Sequence, residues 1–498
     1  MKRLERKDKI SISSKKNVEY SQYQNSLEFA KLVKNYLRPP SSPRNYSTTY
    51  TRYSKSDILG LLNQPAYNEK PLRDASIYLY NMSSHYRRLI SYFSKMPTYN
   101  YYLSPIKMDT ETKKNTKSYK NCFKKAVDQV ELMNIKHEVS KIATVCFRED
   151  VFYGYEYETK DSYYIKKLNP DYCRIVSVED GCYTFEFNFG FFDSRSEMLP
   201  YYGSEFEQKY ELYRQNPAEK RWQELNTKHE VCFKINEDLD YAIPPFAGTF
   251  PDIYDISDYK QLLKAKTEVE NYKLVYLKIP YENGAFKLPL PLANSFYDQL
   301  AGQLPEGIGL GMSPMELDSV KFENSGSTQD TDAVARSEAA FWSASGASSA
   351  ILGKDDITSS SALMLSIETD AGIVYTFLRQ VERWINRKLK QLSGTYHFKL
   401  TFLDQHIFNR KEVQDQMLKA CQYSFPMKYA AAAAFGLSPS DFNGTVVLEN
   451  DMMQLHEHMI PVSSSYTQPS DEENVGRPAQ TTVDEAGEMT EERDANDR

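Results

Sequence analysis

Cysteine is scarce in this sequence and never paired. Cys122, Cys146, Cys173, Cys182, Cys232 and Cys421 stand apart, with no CxxC among them. That scatter argues against a zinc ribbon and a disulfide framework and fits a reducing cytoplasm. No run of about 18 consecutive apolar residues occurs, so no membrane-spanning helix is expected. Met1-Lys-Arg-Leu-Glu-Arg-Lys leads into no apolar stretch, so no signal peptide is expected. Positive charge is not in excess: 61 Lys and Arg face 68 Asp and Glu, for a formal net charge of -7. The chain as a whole is therefore not a basic nucleic-acid binder, and any such contact has to be local or weak. GxSxG, HExxH and Walker motifs are absent, so the sequence offers no ready enzyme class and no cofactor or metal site.

What is present is material for cores. The 498 residues are 41% hydrophobic and 13% aromatic, with 38 Tyr and 25 Phe. That supports roughly two to four structural units.

Residues 1–50 read as an arm around a short helix, Gln22 to Leu37, broken by Pro39, Pro40 and Pro43. Residues 57–147 carry helical spacing, with one rhythm from Leu72 to Phe93 and another from Ser118 to Ala143. The period then changes to two. Strands are expected at Val151–Tyr157, Tyr172–Val178, Tyr183–Phe191 and His229–Ile235, with Glu179-Asp180-Gly181 as a turn. Asp255–Leu277 reads as a helix, residues 280–324 as a Pro/Gly-rich α/β insertion, and a second helix starts near Gln329. From Ala362 to Leu392 apolar residues recur every three or four positions, which predicts one helix of about 31 residues, about 45 Å long. His397–Leu403 reads as a strand, and Lys411–Tyr423 and Met427–Phe435 as helices. Between Asp471 and Arg498 ten acidic residues face three arginines, the composition of a disordered tail.

Each candidate for chemistry has a plainer reading that wins. Gly307-Ile-Gly309-Leu-Gly311 lacks the GxGxxG spacing and a following helix, so it reads as a tight loop. His456 and His458 stand at i, i+2 without a third ligand, and read as a solvated pair. Asp355-Asp356 sits among Lys, Thr and Ser and reads as an exposed loop. Asp238-Leu-Asp240 alone makes no metal nuclease site. Lys2, Arg3, Arg6, Lys7, Lys9, Lys15 and Lys16 are diluted by Glu5 and Asp8, and read as a solvated arm. Lys260, Lys264, Lys266, Lys273 and Lys278 alternate with acids, a face suited to packing on a helix or to lining a channel without strong binding.

The order of these parts, with two strings, resembles the portal proteins of long-tailed, double-stranded DNA bacteriophages. The strings are Ala340-Phe-Trp-Ser-Ala-Ser-Gly346-Ala-Ser-Ser-Ala-Ile-Leu352-Gly353, followed by Ser359-Ser-Ser-Ala-Leu363, and Asn409-Arg-Lys-Glu412 through Gly436-Leu-Ser-Pro439. The architectural resemblance covers residues 50 to 450.

The resemblance implies a mainly helical α+β protomer. After an arm (1–50), a wing (51–254) would lead into a stem helix (255–278), a clip (279–328), and a second stem helix with its elbow (329–353). A tunnel loop (354–361), a long wing helix and strand (362–403), a crown (404–462) and an acidic tail (463–498) would follow. It implies a homo-oligomeric ring of about twelve subunits around a channel at one capsid vertex, built from a heterologous interface that closes. Double-stranded DNA would pass through without sequence readout. Lys354, Asp355, Asp356, Ile357, Thr358, Ser359, Ser360 and Ser361 would form the tunnel loop, and Lys260, Lys264 and Lys273 would line the stem. Expected partners are the terminase large subunit, a head-tail adaptor, and the major capsid and scaffolding proteins, with no membrane. The protein would be a virion component assembled in the bacterial cytoplasm, not an enzyme. The alternatives are another virion part (a minor head protein or adaptor), a non-viral helical scaffold, and a diverged nucleic-acid enzyme.

Overall fold

The computed structural model describes residues 52–107, 116–271, 273–278, 281–282, 285–286, 292, 295–296, 299, 308–313, 327–347 and 360–455. The chain divides into two units, Met1–Ser440 and Asp441–Arg498. The fold is mainly helical with small β-sheets.

The first unit opens with α1 (Lys55–Leu62), α2 (Glu69–Met82) and α3 (Ser84–Lys95). The single rhythm expected from Leu72 to Phe93 is two helices, because Ser83 is extended and its side chain caps α3 by accepting from the Tyr86 N–H. A strand follows, between the two expected helical rhythms: β1 (Tyr101–Pro105). The Ser118–Ala143 run is likewise two helices, α4 (Thr116–Leu132) and α5 (Ile135–Glu149), separated by Asn134 in the left-handed region.

The expected β unit is present as β2 (Val151–Glu158), β3 (Tyr163–Lys167), β4 (Cys173–Glu179) and β5 (Cys182–Asn188), then α6 (Ser204–Gln215), β6 (Trp222–Glu224) and β7 (Glu230–Lys234). Two antiparallel sheets form, in the orders β3-β2-β7 and β4-β5-β6. Asp180 and Gly181 take positive φ in the β4–β5 turn. The alternation of β2 sends Phe152 into the main core and Val151, Tyr153 and Tyr155 into a second one. That second core is mostly aromatic: Phe185, Phe187, Phe189, Phe192 and Phe206 are fully buried there.

Then come α7 (Phe250–Asn271), β8 (Lys273–Lys278), β9 (Tyr281–Glu282), β10 (Ala285–Phe286), β11 (Ile308–Ser313) and α8 (Ser327–Ala344). The helix expected through residue 278 therefore stops at Asn271. Lys273-Leu-Val-Tyr-Leu-Lys278 is a strand pairing in parallel with β11. Gly309 and Gly311, expected in a tight loop, lie within β11 for the same reason and pair with Leu274 and Tyr276, while Gly307 lies outside the described residues. Long-range pairing overrides local spacing at both places.

The chain continues as α9 (Ser360–Lys390), β12 (Phe398–Phe402), α10 (Arg410–Gln422), α11 (Lys428–Ala434) and α12 (Pro439–Val446). β12 pairs antiparallel with β1, which is why β1 is a strand. The 31-residue α9 buries Ile367, Ala371, Val374, Phe377, Leu378, Val381, Trp384, Ile385 and Leu389 in the main core, as its apolar stripe predicts. The described part of the second unit, 441–455, is α12 running into a π-helical turn, Val447–Met452.

Candidate functional site

The helix pair α7 and α8 carries the β insertion between its two halves. Phe250, Ile253 and Ile256, at the start of α7, lie in the main core. Phe341 and Trp342, at the end of α8, lie in the same core. Both helices are thus rooted at one end, and their other ends lead into residues 272–326. The pair is joined by an ion pair from Lys260 Nζ to Glu338 Oε1 at 2.9 Å. His85 Nε2, on α3, stands 3.3 Å from the same oxygen. Burial, helped by Lys260, holds the His85 imidazole below its usual range, so near neutral pH it donates as a neutral ring. Burial raises the Glu338 carboxyl, but Lys260 and His85 outweigh it and the group stays ionised. Lys55 on α1 forms an ion pair with Asp255, which ties α1 to α7. A groove of about 340 Å³ runs between the two helices, lined by Asp252, Asp255, Tyr259, Ala333, Arg336, Ser337 and Ala340.

α8 ends in a small-residue elbow. The Ser345 N–H donates to the Phe341 carbonyl, and Gly346 takes φ 77°. That is the left-handed cap glycine tolerates best.

Of the residues expected to line the stem, Lys260 is engaged by Glu338 within the chain. Lys264 lies on α7. Lys273 opens β8 and is not on a helix. Lys354, Asp355, Asp356, Ile357, Thr358 and Ser359 lie outside the described residues, as do His456, His458 and the acidic tail. Ser360 and Ser361, expected in a loop, are the first two residues of α9. Glu338, His85 and Asp255 were not singled out by sequence, because the partners they meet come from other helices far along the chain. No cluster of His, Cys, Asp or Glu among the described residues could hold a metal ion, and no described helix is long and apolar enough to cross a membrane.

α9 braces this assembly. Near its start, Asp370 accepts from the Tyr92 hydroxyl of α3 at 2.9 Å. His406 Nε2 meets Glu368 at 3.0 Å, while its Nδ1 accepts the Phe408 and Asn409 N–H groups, so Nε2 is the donor. Midway, the Gln380 amide donates to the Lys234 carbonyl and to Glu237, each at 2.7 Å. Near the end, Asn386 exchanges two hydrogen bonds with the Leu400 backbone, Arg387 donates to the Thr227 carbonyl, and Lys390 pairs with Asp180 at 2.7 Å. Lys388 pairs with the buried Glu156 and with Glu158. One rod therefore connects the chain beyond residue 359 to the β unit.

The loop entering α7 hangs on Asp150, a buried residue with φ 72° and ψ -49°, in the γ-turn region. Its Oδ1 accepts the Asn236 N–H at 2.9 Å, and its Oδ2 meets no hydrogen-bond partner. Burial pushes its carboxyl up to about 7. A carboxyl raised in the fold stabilises fully below its unfolded pKa of about 4, and that contribution is lost as pH rises towards 7. Asp150→Asn keeps the neutral form and the Oδ1 acceptor at every pH. It is expected to exceed wild type in urea-denaturation stability at pH 8 by on the order of 1–3 kcal/mol and to match it near pH 4. Equal stability at pH 8 would contradict this account.

No family model matches the chain, and no curated protein matches it. Among solved structures it is similar to a chain in the virion of a native gene transfer agent particle, at 10% identity, over 76% of this chain and 92% of that one, with a TM-score of 0.36. It is also similar to a chain in the neck of an empty gene transfer agent particle computed with C6 symmetry, at 11% identity, over 76% and 93%, with a TM-score of 0.34.

Proposed function

We propose that this chain is the subunit of a phage-type portal, a ring through which double-stranded DNA enters and leaves a capsid. The observation that carries the reading is the order α7, β insertion, α8, elbow, α9. Two helices rooted in one core flank a small β module in the chain, and a 31-residue brace follows. In this reading α7 and α8 are the stem, 272–326 the clip, and residues 354–359 the channel-facing loop. The β unit and α9 are the wing, and the helices after β12 belong to the crown.

The chemistry suits a conduit. DNA that has to move is slowed by strong phosphate contacts, whose number sets both affinity and salt dependence. Lys260, a stem lysine, is neutralised by Glu338. Lys354 is followed by Asp355 and Asp356, which leaves the loop close to neutral. The clip would meet the terminase and later an adaptor.

Deleting residues 354–361 is expected to leave ring assembly intact and to depress DNA packaging or retention in reconstituted particles. Loss of folding on deletion would show that the segment belongs to the core. A reading as a minor head protein or adaptor predicts no stem-and-clip dependence of packaging.

A further inference from the structure

We infer that two surfaces on this chain are the two halves of one head-to-tail contact between copies: the outer side of α1 with the turn after it, and the outer side of the first half of α9 with the turn before α10. The inference rests on the portal reading and specifies the contact that closes the ring. Helices α1, α2, α3 and α9 pack in that series, α1 on α2, α2 on α3, and α3 on α9. The two surfaces belong to the two ends of the series.

Both surfaces expose large apolar side chains among their polar ones. On the first, Leu59 is exposed and Tyr67 is 88% exposed. On the second, Leu365 is 70% exposed, and Ile373, Ile407 and Phe408 are exposed beside it. Phe408 is continuous with this face, since its ring lies against Tyr92 and His406, which bond to Asp370 and Glu368 of α9. The same helix behaves differently further on. Beyond Gln380 its exposed positions include Arg383 and Lys390, the second of which is paired to the β unit.

Glycine gives a second, independent sign. Gly60 lies inside α1 and Gly372 inside α9, and both are exposed. A Cβ added at either would meet no atom within 4 Å. Glycine weakens a helix interior relative to alanine, and no described residue of this chain requires it at these two places. A backbone approached closely from outside does require it. Charge is complementary as well. Asp57 is exposed on the first surface, its carboxylate accepting the Ser54 N–H at the start of α1. Arg379 is exposed on the second and has only a loose 3.8 Å contact with Asp404. Glu368, on the same face, is already engaged by His406.

Two different surfaces that fit each other make a heterologous contact, which repeats around a ring. The test uses full-length Tyr67→Glu and Ile373→Glu, both exposed positions, with circular dichroism melts as the check on folding. Mass photometry is expected to find rings for wild type and loss of rings for each variant alone. An equimolar mixture of the two variants is expected to give particles of twice the chain mass and no rings, because each variant keeps one intact surface. Rings from either variant alone would overturn the inference while leaving the portal reading standing. Strictly monomeric wild type would overturn both. If either variant fails to fold, Gly60→Lys and Gly372→Lys replace it with the same expected outcomes.

Discussion

Replacing Lys388 by methionine is expected to lower the stability of the fold by about 3–5 kcal/mol, the usual cost of removing one partner from a buried ion pair. The Glu156 side chain has no solvent exposure and that of Lys388 only 12%. Glu156 also accepts from the Tyr163 hydroxyl at 2.9 Å, and His229 Nδ1 stands 3.6 Å away. Those neighbours cannot replace the ammonium, since Tyr163 is neutral and the Nδ1 contact lies beyond hydrogen-bond length. The Lys388 ammonium also lies over the rings of Tyr163 and Trp384, and methionine keeps an unbranched stem of similar length without the charge, so the loss reports the charge. Adding Glu156→Gln to the variant removes the stranded carboxylate and should recover at least part of the loss. Urea denaturation of the two single variants and the double variant gives the coupling directly. A loss below about 1 kcal/mol for Lys388→Met would mean that the pair is not holding α9 to the β unit.

The second large effect is expected at Phe206. It is the buried residue of α6, and its ring meets Tyr155, Phe187, Phe189, Phe192 and Tyr202. Phe206→Ala opens a cavity in a core rich in aromatic rings, and a loss of about 3–5 kcal/mol is expected. The damage should be local. Hydrogen exchange is expected to rise in α6 and β5 while α3 and α5, which pack in the other core, keep their protection. Uniform loss of protection would instead mean that the two cores unfold as one. The two substitutions thus probe different joints: Lys388 the tie between rod and β unit, Phe206 the interior of the β unit.

Much of this architecture was legible in the sequence where the signal is local. The stripe from Ala362 to Leu392 fixes the face of α9 that meets the core, because apolar steps of three and four residues leave no other helix face to bury. The alternation Tyr183, Phe185, Phe187 marks β5, and Glu179-Asp180-Gly181 supplies the positive-φ residues its hairpin needs. Misreadings arose where a partner lies far along the chain. β1 falls in the gap between two helical rhythms and shows as a strand only through its pairing with β12, and residues 273–278 continue the α7 rhythm until β11 claims them as a strand. Helix breaks at Ser83 and Asn134 were hidden because a side-chain cap and a left-handed residue interrupt the backbone without interrupting apolar spacing.

The candidate site was less legible than the fold. Lys260 was expected on a helix from Asp255, and it lies on α7. Its neutralisation by Glu338, and the approach of His85 to the same carboxylate, depend on how α3, α7 and α8 come together. The surfaces at the ends of the helix series were missed altogether. An exposed leucine or glycine is ordinary in a sequence until burial shows that none of the described residues of its own chain covers it.

Negative-stain electron microscopy of the purified full-length chain tests the central claim most directly. The portal reading predicts rings of roughly a dozen copies around an open channel. Isolated single chains at micromolar concentration, with no ring in any field, would contradict it.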